Sequence, residues 1–197
     1  MEENTGPCYP RAAGGLMLVL IGTLLNNAGS LLYRLGIPLA SSLTAAVGYI
    51  LFVTGLYRAG ADEPGFYHAL VYQAVSFAVN QSRGYLGYEF YYAGMLLYGA
   101  AMLLSLRALN LACVAAARLL SASGREDLAF FGRVVQKTNV LCYAAALADT
   151  FLTPLLGWGF LLAAQLICIP LSILCLVFLF LATRALRAGQ GDYKTTI

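Results

Sequence analysis

Twenty residues from Gly14 to Tyr33 run without a single charge, and this constrains the chain more than any other feature. A helix rising about 1.5 Å per residue needs about that many apolar residues to cross a hydrocarbon core of about 30 Å. Five further apolar stretches follow. Together with the first they predict an all-α, polytopic transmembrane bundle forming a single domain over 1–197, with spans at 14–33, 38–57, 66–82, 91–120, 130–149 and 155–186. The bulk composition agrees: 60% of residues are hydrophobic, 11% are charged and the mean hydropathy is +0.75, whereas soluble chains carry about a quarter charged residues. The expected surroundings are a lipid bilayer.

The fourth and sixth stretches would measure roughly 45 to 50 Å as straight helices, so each must tilt, protrude or break. Pro170 removes a backbone donor from the sixth and is the natural place for a kink, or for a split into two shorter helices. No small-residue cleavage site follows the first stretch, which is therefore expected to be retained.

Basic residues divide unevenly between the two ends of the spans. Arg11, Arg58, Arg118, Arg125, Arg133, Lys137, Arg184, Arg187 and Lys194 fall on one side, and Arg34 and Arg83 on the other. Nine against two predicts that the first side, with both termini, is cytoplasmic. An even number of crossings follows. The net charge of +3 is scattered over loops, with no basic stripe for nucleic acid.

Two weak internal matches point to duplication. Thr54 to Gly60 resembles Thr183 to Gly189 at an offset of 129, and Ala61 to Tyr67 lies over Arg125 to Phe131 at 64. Three tandem two-helix units with a period near 64 would account for both offsets. In the turns, Ser123-Gly-Arg-Glu126 fits a capping box, and Asp62, Glu63 and Pro64 suit the opening of a helix.

Catalytic chemistry has little to stand on, and the chain is expected not to be an enzyme. His68 is its one histidine, better read as an interfacial polar residue than as a ligand. There is no H-E-x-x-H, G-x-S-x-G or Walker loop, no paired carboxylate within a span, and no cofactor or metal is implied. Of five cysteines, Cys113, Cys142, Cys168 and Cys175 sit inside apolar stretches and read as small buried hydrophobes; Cys8 precedes the first span.

The polar residues inside the spans are more telling, because an unsatisfied polar group in hydrocarbon costs several kcal/mol. Asn26 and Asn27 lie about thirteen residues into the first span, Asn80 about fifteen into the third, and Asn139 about thirteen from the capped start of the fifth helix at Glu126. These amides share one depth, and Thr44, Asn110 and Gln165 fall near it. Arg107 interrupts the fourth span with a charge that deprotonation cannot remove. A hairpin centred on Ser123 sets residue i opposite about 246 − i and so predicts that Arg107 faces Asn139, with Asn110 one turn away. Asn26, Asn27, Asn80, Arg107, Asn110 and Asn139 are thus the candidate solute-binding residues, although amides also join helices structurally. Glycines and alanines in the spans imply close helix packing under either role. The aromatic run Tyr85 to Tyr92, with Tyr88, Glu89, Tyr91 and Tyr92, is either a belt at the lipid headgroups or an entrance at the outer face; Trp158 fits the same belt.

In general style these apolar spans, closed by short acidic turns, resemble small multi-pass proteins of bacterial inner membranes. That resemblance implies a location and no mechanism. Two roles are compatible with the residues: binding or transport of a small solute through the bundle, or a non-transporting subunit that holds a membrane or cytosolic partner protein, or anionic lipid, through the basic hairpin Arg118 to Lys137.

Overall fold

A computed structural model describes residues 9–83, 90–156 and 158–188. Six helices occupy them: α1 (Pro10–Arg34), α2 (Pro38–Gly60), α3 (Gly65–Arg83), α4 (Tyr91–Ala122), α5 (Glu126–Leu156) and α6 (Trp158–Ala188). Four contain stretches long and apolar enough to cross a membrane: Pro10–Gly29, Pro38–Gly60, Tyr92–Ala122 and Cys168–Arg187. The chain is therefore an α-helical membrane bundle. The more polar helices are α3, whose exposed and buried faces carry Gln73, Ser76, Asn80 and Gln81, and α5, which carries Arg133, Lys137 and Asn139. Helix α6 runs unbroken through Pro170.

Each helix packs on its neighbour in the chain, α6 returns to α1, and α4 also meets α6 across the ring. The contact between α1 and α2 is the most extensive, and its cause is visible in the sequence. Gly15, Gly22 and Gly29 repeat every seven residues on α1, as Ser41, Gly48 and Gly55 do on α2. A Cβ on Gly22 would lie 2.6 Å from the Gly48 carbonyl oxygen, and one on Gly55 would lie 2.5 Å from that of Gly15. The Ser41 hydroxyl donates to the Gly29 carbonyl at 2.7 Å. Small residues at a heptad interval let the two backbones touch along their length, the packing that lipid-embedded helices favour when burial in lipid offers no hydrophobic gain.

The turns depart from expectation in an informative way. Asp62 does not open α3; its carboxylate accepts the Ala12 N–H of α1 at 2.7 Å, while Glu63 pairs with Arg118 of α4 at 3.5 Å. The capping box at Ser123 does not form. Instead Gly124, at φ +77°, ends α4 with bonds from its N–H to the Ser121 carbonyl and from the Arg125 N–H to the Leu120 carbonyl, an arrangement that needs a left-handed residue. The Ser123 hydroxyl turns back to the Leu119 carbonyl, and Glu126 accepts from Ser121 and pairs with Arg133 at 3.6 Å.

The hydrophobic core occupies one half of the bundle, beside the 61–64 and 123–125 turns. It is built from Leu16, Leu56, Phe66, Leu120, Phe178, Leu179 and Leu186, filled between by alanines such as Ala59, Ala112, Ala116 and Ala182. Phe131 meets Phe178 edge to face at 5.9 Å. The other half of the bundle holds cavities.

Candidate functional site

Two cavities lie side by side in the half away from those turns. The larger, about 870 Å³, opens between α2, α3 and α4, with Asn26 of α1 at its back. Each helix contributes one face at helical spacing: Ser42, Ala45, Ala46, Tyr49 and Ile50 from α2, Gln73, Ser76, Phe77, Asn80 and Gln81 from α3, and Tyr98, Ala101, Met102 and Ser105 from α4. The α2 wall is mainly apolar and the α3 wall mainly amide and hydroxyl. Across the cleft between them, Tyr49 stacks on Phe77 at 4.5 Å between ring centroids.

The smaller cavity, about 180 Å³, is bordered by all six helices. Its polar lining is Thr23, Asn26, Asn27, Gln73, Ser105, Asn139 and Ser172, with Cys142 and Cys175. Asn26, Gln73 and Ser105 border both cavities and form the partition between them. The Ser105 hydroxyl donates to the Gln73 side-chain oxygen at 3.1 Å, which leaves the Gln73 NH2 as the donor this pair can present. The Ser76 hydroxyl donates to the Ala101 carbonyl at 2.6 Å. These two bonds hold α3 to α4 at the partition.

The expected amide band is thus divided between two chambers. Asn27 and Asn139 border the smaller one, Asn80 the larger, and Asn26 both. Arg107 borders neither; it is exposed, and Asn139 is buried, so the expected pair does not form. The reason is register. Gly132 packs against Ala117, and the Tyr143 hydroxyl donates to the Leu106 carbonyl, so residue i on α4 lies opposite about 249 − i on α5. The glycine-capped turn centres between Gly124 and Arg125 rather than on Ser123, which sets Arg107 level with Cys142 and brings Asn110 level with Asn139. Asn110 is 3% exposed, and its side-chain oxygen has no hydrogen-bond partner among the described residues. It borders neither cavity. Thr44 likewise turns to its own helix, donating to the Ala40 carbonyl at 2.7 Å.

At the candidate entrance, Tyr88 and Glu89 lie outside the described residues, as do the side chains of Tyr91, Trp158 and Gln165. Tyr92 is 81% exposed. Among the cysteines, the Cys113 and Cys175 sulfurs approach to 3.5 Å between α4 and α6, and Cys142 and Cys175 border the smaller cavity.

Gln73, Ser76, Gln81, Ser105, Tyr49 and Tyr98 were not singled out by sequence. Gln73, Ser76 and Asn80 repeat at three and four residues, the signature of one helix face, and that signal was available. The α4 contribution was not, because a serine between leucines has no distinguishing mark.

No protein-family model, curated protein or solved structure matches the chain, and its role is read from this geometry.

Proposed function

We propose that the chain is a six-span membrane protein, not an enzyme, that binds a small solute in the space between its helices and passes it on or presents it to a partner. The observation that carries this is the partition Asn26–Gln73–Ser105, an amide and hydroxyl layer with a cavity on each side. Helix-joining polar groups alone would pack against one another without leaving such space. The excess of basic residues supports a cytoplasmic turn half with cytoplasmic termini, and the proposed location is a bacterial-type inner membrane. In that orientation the cavities belong to the outer half, and the alanine-rich core closes the inner half. Three two-helix units remain compatible with the pairing of α1 with α2, α3 with α4 and α5 with α6.

A second reading has its own observation. A groove of about 500 Å³ at the turn half, lined by Val114, Ala117, Arg118, Ser121, Ala122, Arg133 and Gln136, offers two guanidiniums to an anionic headgroup. Both are already engaged, Arg118 with Glu63 and Arg133 with Glu126, which favours the first reading.

Single cysteines at Asn27, Asn80, Arg107 and Asn139, in a background without the native cysteines, test it with a charged thiol reagent on intact cells. Rapid labelling at Asn27→Cys and Asn80→Cys, slower labelling at Asn139→Cys, and protection by an added solute are the expected results. Complete protection at both Asn27→Cys and Asn80→Cys in folded protein would leave the space dry and remove the solute route.

A further inference from the structure

We infer that the larger cavity binds an uncharged amphiphile, a molecule with a hydroxyl- or amide-bearing head and an apolar tail, which enters sideways between α2 and α3. The inference rests on the solute-binding reading above and specifies what the solute is.

The two principal walls differ in chemistry. On α3, Gln73, Ser76, Asn80 and Gln81 present amides and a hydroxyl beside Phe77; on α2, Ala45, Ala46 and Ile50 present hydrocarbon beside Tyr49, and the Ser42 hydroxyl is held by the Pro38 carbonyl. A wholly polar solute leaves the α2 wall unmatched. A wholly apolar one strips water from the amides and returns no hydrogen bonds, which is unfavourable for each buried group. An amphiphile lying along the cleft satisfies both walls.

Charge narrows the class further. None of the described residues lining the cavity is charged, and an ion held at membrane depth without a counter-charge is strongly disfavoured. The head must therefore be neutral. The Gln73 NH2, with its oxygen already taken by Ser105, is a donor for a hydroxyl or ether oxygen.

The direction of entry follows from the edges. The contact between α2 and α3 is the slightest of those between chain neighbours, so the cleft widens away from the 61–64 turn. At its mouth, Ile50 on α2 and Phe77 on α3 line the cavity and are 60% and 43% exposed, and the Tyr49–Phe77 stack across the cleft parts to admit a molecule. These apolar edges face the surroundings of the bundle, which for a membrane helix are acyl chains. A volume of about 870 Å³ suits a single-chain amphiphile and falls within the usual range for ligand pockets of about 300 to 1,000 Å³.

The test uses the full chain in phosphatidylcholine nanodiscs and an octyl glucoside carrying a diazirine in its alkyl chain, with the same chain on a sulfate head and on a trimethylammonium head for comparison. Cross-linked positions are mapped by mass spectrometry. Saturable labelling at Tyr49, Phe77 and Tyr98 is expected, at least about tenfold above exposed Val140 and Leu141 on α5, competed by unlabelled octyl glucoside and weak for both charged probes. It should fall about tenfold in Gln73→Leu/Asn80→Leu. Ala46→Trp, which fills the cleft and keeps its polar groups, should abolish it if the melting temperature shows the variant folded. Equal labelling by the charged probes, or labelling spread evenly over the bundle exterior, overturns the inference. If the aqueous thiol reagent reaches Asn80→Cys but the glucoside gives no saturable label, the ligand class falls and solute binding stands; if neither reaches the cavity, both fall.

Discussion

The Ala12 main-chain N–H donates to the Asp62 carboxylate at 2.7 Å, so the turn between α2 and α3 caps the start of α1. Helix α1 has no acidic residue in its own first turn. The cap arrives from fifty residues away because the glycine ladder brings the end of α2 against the start of α1, which leaves Asp62 beside the free N–H groups there. Asp62→Ala should cost about 0.5 to 2 kcal/mol, with Asp62→Asn smaller. Thermal unfolding in detergent checks this. An unchanged melting temperature for Asp62→Ala would mean that the carboxylate does not serve α1.

The glycine ladder makes a contrast within one helix. Gly14 has only Arg58 Nη2 near the place of a Cβ, at 3.8 Å, whereas a Cβ on Gly22 meets the Gly48 carbonyl oxygen at 2.6 Å and the Phe52 nitrogen at 2.7 Å. Gly14→Ala should leave stability unchanged or raise it, and Gly22→Ala should lower it by about 1 to 3 kcal/mol or more, because the neighbour is rigid backbone. Equal effects of the two substitutions on unfolding would show that the helices are not in backbone contact.

Asn110 carries a buried side-chain oxygen without a partner among the described residues. Asn110→Leu removes an unsatisfied group at similar volume, so it should be neutral or stabilising, in contrast to the usual loss from a buried polar deletion. Retained melting temperature together with retained solute protection of Asn80→Cys is the expected pair of results. A marked loss of stability would reveal a partner for that oxygen.

The register of α4 against α5 predicts which polar pairs are coupled. A double-mutant cycle between Arg107 and Asn139 should give a coupling within about 0.5 kcal/mol of zero. One between Gln73 and Ser105, joined at 3.1 Å, should give about 0.5 to 1.5 kcal/mol. Measured coupling for the first pair and none for the second would restore the pairing expected from a hairpin centred on Ser123.

Much of the candidate site was legible in part. Asn26, Asn27, Asn80 and Asn139 all border cavities, because an amide placed deep in an apolar helix must turn toward the bundle interior or water, and sequence shows its depth directly. Arg107 did not follow. Depth along a helix is read from counting, but the partner met across a hairpin depends on where the turn centres, and the cap at Gly124 sets residue i of α4 opposite about 249 − i rather than 246 − i.

Composition by itself determined that this chain forms apolar helices for a membrane, since length and hydropathy are local properties and hydrocarbon leaves the backbone little alternative to the helix. The seven-residue glycine intervals on α1 and α2 were present in the sequence too, each blank until it met its partner. Which amides share a chamber, where Asp62 finds its N–H, and the separation of a tight alanine-rich half from a hollow polar half were decided only by the tertiary structure. Those relations join residues on different helices, and they depend on turn geometry and backbone approach distances that no single helix contains.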